Sequence, residues 1–115
     1  MKCVIMGAGK IARGFIGHLL YLSGIPFTFM EKADGLVELI NERGQYTVNI
    51  LGHSEKNCVV KGAKAVGFQD GERAAETIAE ADAVFTAVGG KNLGALAPYL
   101  ARGIEMKAKK GGVLN

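Results

Sequence analysis

A glycine-rich turn between a short apolar run and a helical pattern constrains the fold of this chain more than any other feature. Residues 7–12 read Gly-Ala-Gly-Lys-Ile-Ala, and the preceding residues 2–6 are β-prone and mostly apolar. In such a turn the first glycine permits a tight exit from the strand. The second lets the backbone approach a pyrophosphate, and the third small residue lets the helix pack on the sheet. Since the N–H groups that begin the helix would face the phosphates, the pattern predicts a dinucleotide site.

The residues after the turn have the pattern that this interpretation requires. A helix is predicted up to Gly24, and residues 27–30 are predicted to form a second strand. Four apolar residues recur at helical spacing, and we expect the last three of them to lie in the core: Ile11, Phe15, Leu19 and Leu22. The sequence therefore predicts a complete strand–turn–helix–strand unit.

An acidic residue follows the second predicted strand. Glu31 lies nineteen residues beyond Ala12, close to the spacing of the acid that binds the adenosine ribose hydroxyls in dinucleotide folds. A surface carboxylate at a strand end is the plainer interpretation, but the position favours the ribose role. Because a carboxylate would repel a 2′-phosphate, NAD is predicted rather than NADP. The adjacent Lys32 is the one indication of NADP, and we interpret it as solvent-facing.

A later strand is expected to complete the cofactor site. Residues 83–88 form an apolar run, typical of a parallel strand covered on both faces, and lead into Gly89 and Gly90. Ligands of open α/β sheets bind at the carboxyl ends of the strands. The predicted cofactor contacts are Met6, Gly7, Ala8, Gly9, Lys10, Ile11, Ala12, Arg13, Glu31, Ala87, Val88 and Gly89.

Two basic side chains in this set have alternative interpretations. Arg13 lies in the first turn of the predicted helix, where the helix dipole disfavours a cation unless an anion is near. It is equally consistent with a contact to a cofactor or substrate phosphate and with an ion pair elsewhere in the fold. Lys10 either adds charge near the phosphate or faces solvent.

The rest of the chain predicts an alternation of helices and strands with one interruption. Helices are expected over residues 36–43, 70–80 and 92–110, the last kinked or restarted at Pro98. Between the first two lies a hairpin with strands at 46–51 and 57–60, and residues 62–68 are expected to extend its return strand. We assign the hairpin residues Tyr46 and His53 to structure or to an interface rather than to chemistry.

These elements predict an α/β, Rossmann-type three-layer fold with a mostly parallel sheet and a β-hairpin insertion. Residues 113–115 resemble the beginning of another strand, so fewer than the usual six strands are present. Residues 1–115 are accordingly interpreted as an incomplete N-terminal NAD-binding domain of a longer protein.

Composition argues against several other functions. The 115 residues carry a formal charge of +3 and few aromatic side chains, so nucleic-acid binding is not expected. No apolar segment is long enough to span a bilayer, and no signal peptide is apparent. Cys3, Cys58, His18 and His53 have no metal-ligand spacing, and Cys3 is expected to be a buried apolar residue. A reducing, cytoplasmic setting is the default expectation.

Residues 7–17, which read Gly-Ala-Gly-Lys-Ile-Ala-Arg-Gly-Phe-Ile-Gly, resemble the long-chain polyol dehydrogenase family, also called the mannitol dehydrogenase family. The likeness covers nearly the whole chain and continues through residues 24–25, 28–29, the Tyr46 hairpin, 86–89, 97–98 and 102–103. This chain has Ala12 where the family has a third glycine, and Glu31 where it has an aspartate. The fingerprint tolerates the alanine, and either carboxylate can accept both ribose hydroxyls.

The resemblance implies an NAD-dependent oxidoreductase that acts on a polyol or sugar phosphate. The activity it implies is oxidation of mannitol 1-phosphate to fructose 6-phosphate with reduction of NAD. The family's catalytic lysine, with its asparagine and histidine partners, lies in a mainly helical C-terminal domain. No residue of 1–115 matches that set, so no catalytic residue is predicted here, and this part alone is expected to be inactive.

Other functions share parts of the motif. Relatives that act on other polyols or on sugar acids have the same architecture. Flavin-binding oxidoreductases use nearly the same fingerprint, often with glutamate as the acid. Methyltransferases commonly have a Gly-x-Gly-x-Gly loop, and Ile11 stands where the last glycine would be. A nucleotide-binding module without catalysis is a further alternative.

Overall fold

The computed structural model describes residues 1–49, 52, 57–69, 71–88, 90–109 and 111. The strands within these residues are β1 (Cys3–Met6), β2 (Phe27–Met30), β3 (Gln45–Val48), β4 (Cys58–Lys61), β5 (Ala65–Val66) and β6 (Ala83–Thr86). A π-helical segment (Ala12–Gly17) follows the glycine turn. The α-helices are α1 (His18–Leu22), α2 (Asp34–Arg43), α3 (Gly71–Glu80) and α4 (Gly90–Lys109).

Four strands form a parallel sheet in the order β5-β2-β1-β6. β1 lies at its centre, with Cys3 opposite both Phe27 and Ala83. In chain order of the parallel strands this is 3-2-1-4, the first part of the doubly wound dinucleotide-binding arrangement. The predicted α/β class with a mostly parallel sheet is therefore confirmed.

Two apolar clusters cover the two faces of this sheet. One joins Ile5 and Phe29 to Ile40 of α2, and the other joins Met6 to Ile78 of α3. Alternate residues of β1 thus point to opposite helical layers, as expected for a three-layer fold. Cys3 is 3% exposed, which confirms its prediction as a buried apolar residue. Its burial also raises the pKa of its thiol.

The hairpin forms as predicted, but the strand after it does not. β3 and β4 pair antiparallel with Tyr46 opposite Val60, while 50–51 and 53–56, which include His53, lie outside the described residues. Residues 62–68 do not extend β4, because Gly62 adopts a φ of 75° and turns the chain. β5 instead joins the main sheet beside β2, and the Asn41 side chain both donates to the Ala65 carbonyl and accepts from its N–H, each at 2.8 Å.

The prediction for the helix after the glycine turn was wrong about which face is buried. Phe15, Leu19 and Leu22 are between 51% and 65% exposed, so they do not lie in the core. The buried face carries Ala12 and Leu20, with Ile16 packed against the same cluster. Both faces are apolar, and the one with the small Ala12 side chain permits close packing on the sheet.

The expectation for β6 also needs correction. It lies at the edge of the described sheet, where Phe85 is 39% exposed and Thr86 is exposed. It is therefore not covered on both faces in the part of the chain that the structure describes. The helix after it, α4, continues through Pro98 without restarting. Residues 113–115 lie outside the described residues.

Candidate dinucleotide site

Gly7 brings the ends of three parallel strands together. Its N–H donates to the Met30 carbonyl at 2.6 Å, which joins the end of β1 to the end of β2. The Ala87 N–H donates to the Met6 carbonyl at 2.8 Å, which joins β6 to the same point. A Cβ on Gly7 would lie 3.0 Å from the Ala87 carbonyl oxygen, and the φ of Gly7 is +103°. Glycine therefore provides both the turn and the close approach of Ala87.

The helix that follows presents backbone donors at this edge of the sheet. Its first hydrogen bond runs from the Arg13 N–H to the Gly9 carbonyl at 3.0 Å, so the N–H groups of residues 10–12 precede the intrahelical pattern. A Cβ added to Gly9 would have no described atom within 4 Å. The turn is thus open where a pyrophosphate would approach, and its donors suit an anion.

The predicted contacts divide into backbone and side-chain positions. The side chains of Met6, Ala8 and Ala12 are fully buried, so only their backbone can meet a ligand. Lys10 and Ile11 are exposed at the turn. Ala87 and Val88 are half-buried beside Gly7, whereas Gly89 lies outside the described residues.

Glu31 connects the glycine turn to the residues after β2. Its Oε1 accepts from the Ala8 N–H at 3.1 Å, and its Oε2 accepts from the Ala33 N–H at 2.9 Å. Both hydrogen bonds hold the carboxylate at the carboxyl edge of the sheet. Each carboxylate oxygen has a further lone pair that can accept a hydrogen bond from a hydroxyl group, so the arrangement is compatible with ribose recognition.

Arg13 lies against the turn. Its Nε donates to the Gly9 carbonyl at 3.4 Å, and the side chain forms no ion pair with any other described residue. The interpretation of Arg13 as a member of an ion pair therefore has no support in the described part of the chain. The phosphate contact remains a prediction.

Comparison with known proteins agrees with this geometry. The sequence model of the mannitol dehydrogenase Rossmann domain matches residues 1–113. The chain belongs to the mannitol dehydrogenase family. Rossmann domains of dehydrogenases bind a nucleotide cofactor, and the edge formed by β1, β2 and β6 is the matching position in this fold.

Several curated relatives of the chain share one protein name. Proteins called mannitol-1-phosphate 5-dehydrogenase from Geobacillus thermodenitrificans, Thermoanaerobacter pseudethanolicus and Brevibacillus brevis are 42%, 39% and 41% identical to the chain. Each alignment covers 93% of the chain but 28% of the relative. The chain therefore corresponds to slightly more than a quarter of the length of these mannitol dehydrogenase family members.

Other kinds of site have no support in the described residues. No cluster of three or more His, Cys, Asp or Glu side chains there could hold a metal ion, and Cys3 and Cys58 are free thiols. None of the helices described is long and apolar enough to cross a membrane. A cavity of about 480 Å³ lies at the amino ends of β1 and β2, lined in part by Lys2, Tyr21 and Pro26. It is at the opposite edge of the sheet from the glycine turn, so it is separate from the candidate dinucleotide site of this mannitol dehydrogenase family domain.

Sequence reasoning did not connect Tyr46 of β3 to the site. The Tyr46 hydroxyl donates to the Arg13 carbonyl at 2.8 Å, across 33 positions of sequence. The tyrosine ring also packs against Phe29, with ring centroids 6.0 Å apart. A long-range contact of this kind has no local sequence signal.

The environment of Tyr46 leads to a prediction about alkaline stability. Burial raises the pKa of Tyr46 from 10.0 to about 12, although the nearby Arg13 charge partly opposes the shift. Between these two values the unfolded chain holds fewer protons than the folded chain. The free energy of unfolding should therefore fall as pH rises through this range.

Denaturation of the wild type and of Tyr46→Phe at several pH values tests this expectation. The wild type should be the more stable protein near neutral pH, and the difference should shrink through the window from 10.0 to about 12. Other ionising groups are common to both proteins and cancel in the comparison. A difference that stays constant across the window would contradict the prediction.

Proposed function

We propose that the chain is the NAD-binding part of a polyol-phosphate dehydrogenase whose substrate is mannitol 1-phosphate. The observation that carries this proposal is the Glu31 carboxylate, bonded to the Ala8 N–H at the glycine turn of a domain in the mannitol dehydrogenase family. The names of the curated relatives support the choice of substrate.

The residues of this chain would bind and orient the cofactor. The N–H groups at residues 10–12 would donate to the pyrophosphate, with Arg13 and Lys10 adding positive charge beside it. Glu31 would accept from the adenosine ribose hydroxyls, and its negative charge would disfavour the 2′-phosphate of NADP. Ala87 and Val88 would pack against the adenine and ribose.

In the whole enzyme the nicotinamide ring would supply the hydride acceptor for oxidation at C5 of mannitol 1-phosphate, giving fructose 6-phosphate and NADH. The proton of the C5 hydroxyl would pass to a base outside residues 1–115. We assign the acid–base residues to that other part of the enzyme, and position and electrostatics to this domain. Free thiols at Cys3 and Cys58 are compatible with a cytoplasmic setting, which belongs to the same proposal.

Ligand titration of the purified chain distinguishes this function from its alternatives. NAD should bind more tightly than NADP, FAD or S-adenosylmethionine. Preference for FAD would favour a flavin-binding module, and binding of S-adenosylmethionine alone would overturn the dehydrogenase assignment.

Gly9→Val should weaken NAD binding at least tenfold, because the isopropyl group would occupy the space through which the pyrophosphate approaches. Since an added Cβ meets no described atom within 4 Å, the variant should fold normally. Isothermal titration calorimetry on both proteins provides the measurement.

Two further variants make this test specific. Gly9→Ala should show a smaller loss of affinity, because it adds a smaller group at the same place. Ala108→Val adds bulk at an exposed position near the end of α4 and should leave NAD affinity unchanged. Wild-type affinity in a folded Gly9→Val protein would contradict the proposed position of the pyrophosphate.

A further inference from the structure

Tyr46 joins the hairpin to the helix of the proposed cofactor site. Tyr46 of β3 donates its hydroxyl proton to the Arg13 carbonyl at 2.8 Å, and Arg13 lies in the π-helical segment directly after the glycine turn. Isolated π-helical turns frequently occur at functional sites, because they displace backbone groups from the regular helical pattern. The tyrosine hydroxyl supplies a donor to a carbonyl within such a segment.

Gly17 makes this contact possible. A Cβ on Gly17 would overlap the Tyr46 hydroxyl oxygen, and it would also lie 3.3 Å from Cζ of Phe29. Gly17 is buried, within the π-helical segment. The missing side chain therefore provides the space through which the hairpin tyrosine reaches the helix backbone.

Arg13 also connects this contact to the glycine turn. Its N–H donates to the Gly9 carbonyl at 3.0 Å, and its Nε donates to the same oxygen at 3.4 Å. Arg13 thus contacts Tyr46 through its carbonyl oxygen and Gly9 through its N–H and Nε. Both contacts restrict the backbone of Arg13 in the first turn of the helix.

We propose that Tyr46 is a positioning residue for the pyrophosphate-binding turn, and that Gly17 is small so that the Tyr46 hydroxyl can reach the Arg13 carbonyl. This inference rests on the proposed cofactor site. The hairpin insertion then fixes the first turn of the helix, whose N–H groups must point at the phosphates. Tyr46 itself does not touch the cofactor.

Tyr46→Phe tests this role, because it keeps the ring beside Phe29 and removes the hydroxyl alone. We expect NAD and ADP to bind to this variant about three- to tenfold more weakly than to the wild type. This factor corresponds to the net free energy of one hydrogen bond. Adenosine, which has no phosphate, should bind as it does to the wild type. A purely structural role would change the affinity for adenosine and for ADP together, or would change neither.

Gly17→Ala provides an independent test of the same contact. In the wild-type background it should weaken NAD binding, since the added methyl group displaces the Tyr46 hydroxyl. In the Tyr46→Phe background the hydroxyl is gone, so the same substitution should weaken NAD binding by a smaller factor than in the wild type, although the Cβ still lies 3.0 Å from the Ala12 carbonyl oxygen and 3.3 Å from Cζ of Phe29. Tyr21→Phe, at the opposite edge of the sheet, serves as the matched control and should leave NAD affinity unchanged.

The outcomes separate this inference from the proposed function. If the wild-type chain binds no NAD, the cofactor assignment fails, and the positioning role fails with it. If the wild type binds NAD, and Tyr46→Phe binds both NAD and ADP with the affinities of the wild type, the positioning role alone is overturned. Should Gly17→Ala fail to fold, the NAD, ADP and adenosine affinities of Tyr46→Phe still decide the question.

Discussion

Gly103→Ala should destabilise the protein by about 3 kcal/mol, a large fraction of the stability of a small domain. Gly103 lies in α4 where this helix crosses α3. A Cβ there would lie 2.5 Å from Cγ2 and 2.6 Å from Cβ of Ile78, and 3.1 Å from the Ala75 carbonyl oxygen. These are branched side-chain and backbone atoms that cannot move aside singly, so the two helices would have to separate. Ile78 is fully buried, so the movement would also disturb the core on that face of the sheet.

A second glycine of the same helix provides the matched control. Gly94 is exposed, and a Cβ added there meets no described atom within 4 Å. Gly94→Ala should therefore increase stability by up to about 1 kcal/mol, through helix propensity alone. Urea denaturation of both variants measures the two effects. Equal stability of Gly103→Ala and Gly94→Ala would show that α3 and α4 do not pack as described.

Local signals explain why much of the fold could be predicted from the sequence. The glycine turn and the short apolar runs around it determine β1, the helix start and β2, because they depend on neighbouring residues. The number of residues between the turn and Glu31 predicts the position of this acid, and in the structure its Oε1 lies 3.1 Å from the Ala8 nitrogen. Two β-prone runs around a turn likewise predict the hairpin.

The features that could not be predicted depend on contacts between distant residues. β5 has two residues, Ala65 and Val66, too few for any periodicity, and its place is fixed by β2 and the Asn41 side chain. The helix after the turn has two apolar faces, so spacing alone did not identify the one that the sheet covers. The π-helical segment likewise has no local signature, and the contact of its Arg13 carbonyl with Tyr46 spans 33 positions.

Gly7→Ala should affect both stability and cofactor binding, which distinguishes it from a substitution at Gly9. The backbone at Gly7 has a φ of +103°, a conformation that residues with a Cβ rarely adopt. The added methyl group would also lie 3.0 Å from the Ala87 carbonyl oxygen and 3.1 Å from Cγ1 of Val88. Backbone strain and crowding together should cost about 2–3 kcal/mol of stability.

The same substitution should abolish measurable NAD binding, because relief of the strain requires the turn to move away from the ends of β2 and β6. The Gly7 N–H bond to Met30 would be lost, and the donors that follow the turn would no longer converge on one point. Gly9→Ala is the matched comparison, since it should weaken NAD binding while leaving the denaturation midpoint close to that of the wild type. Measurement of midpoint and NAD affinity for both variants separates the two roles. A Gly7→Ala protein with wild-type stability and wild-type NAD affinity would contradict the geometry of the turn and the site built on it.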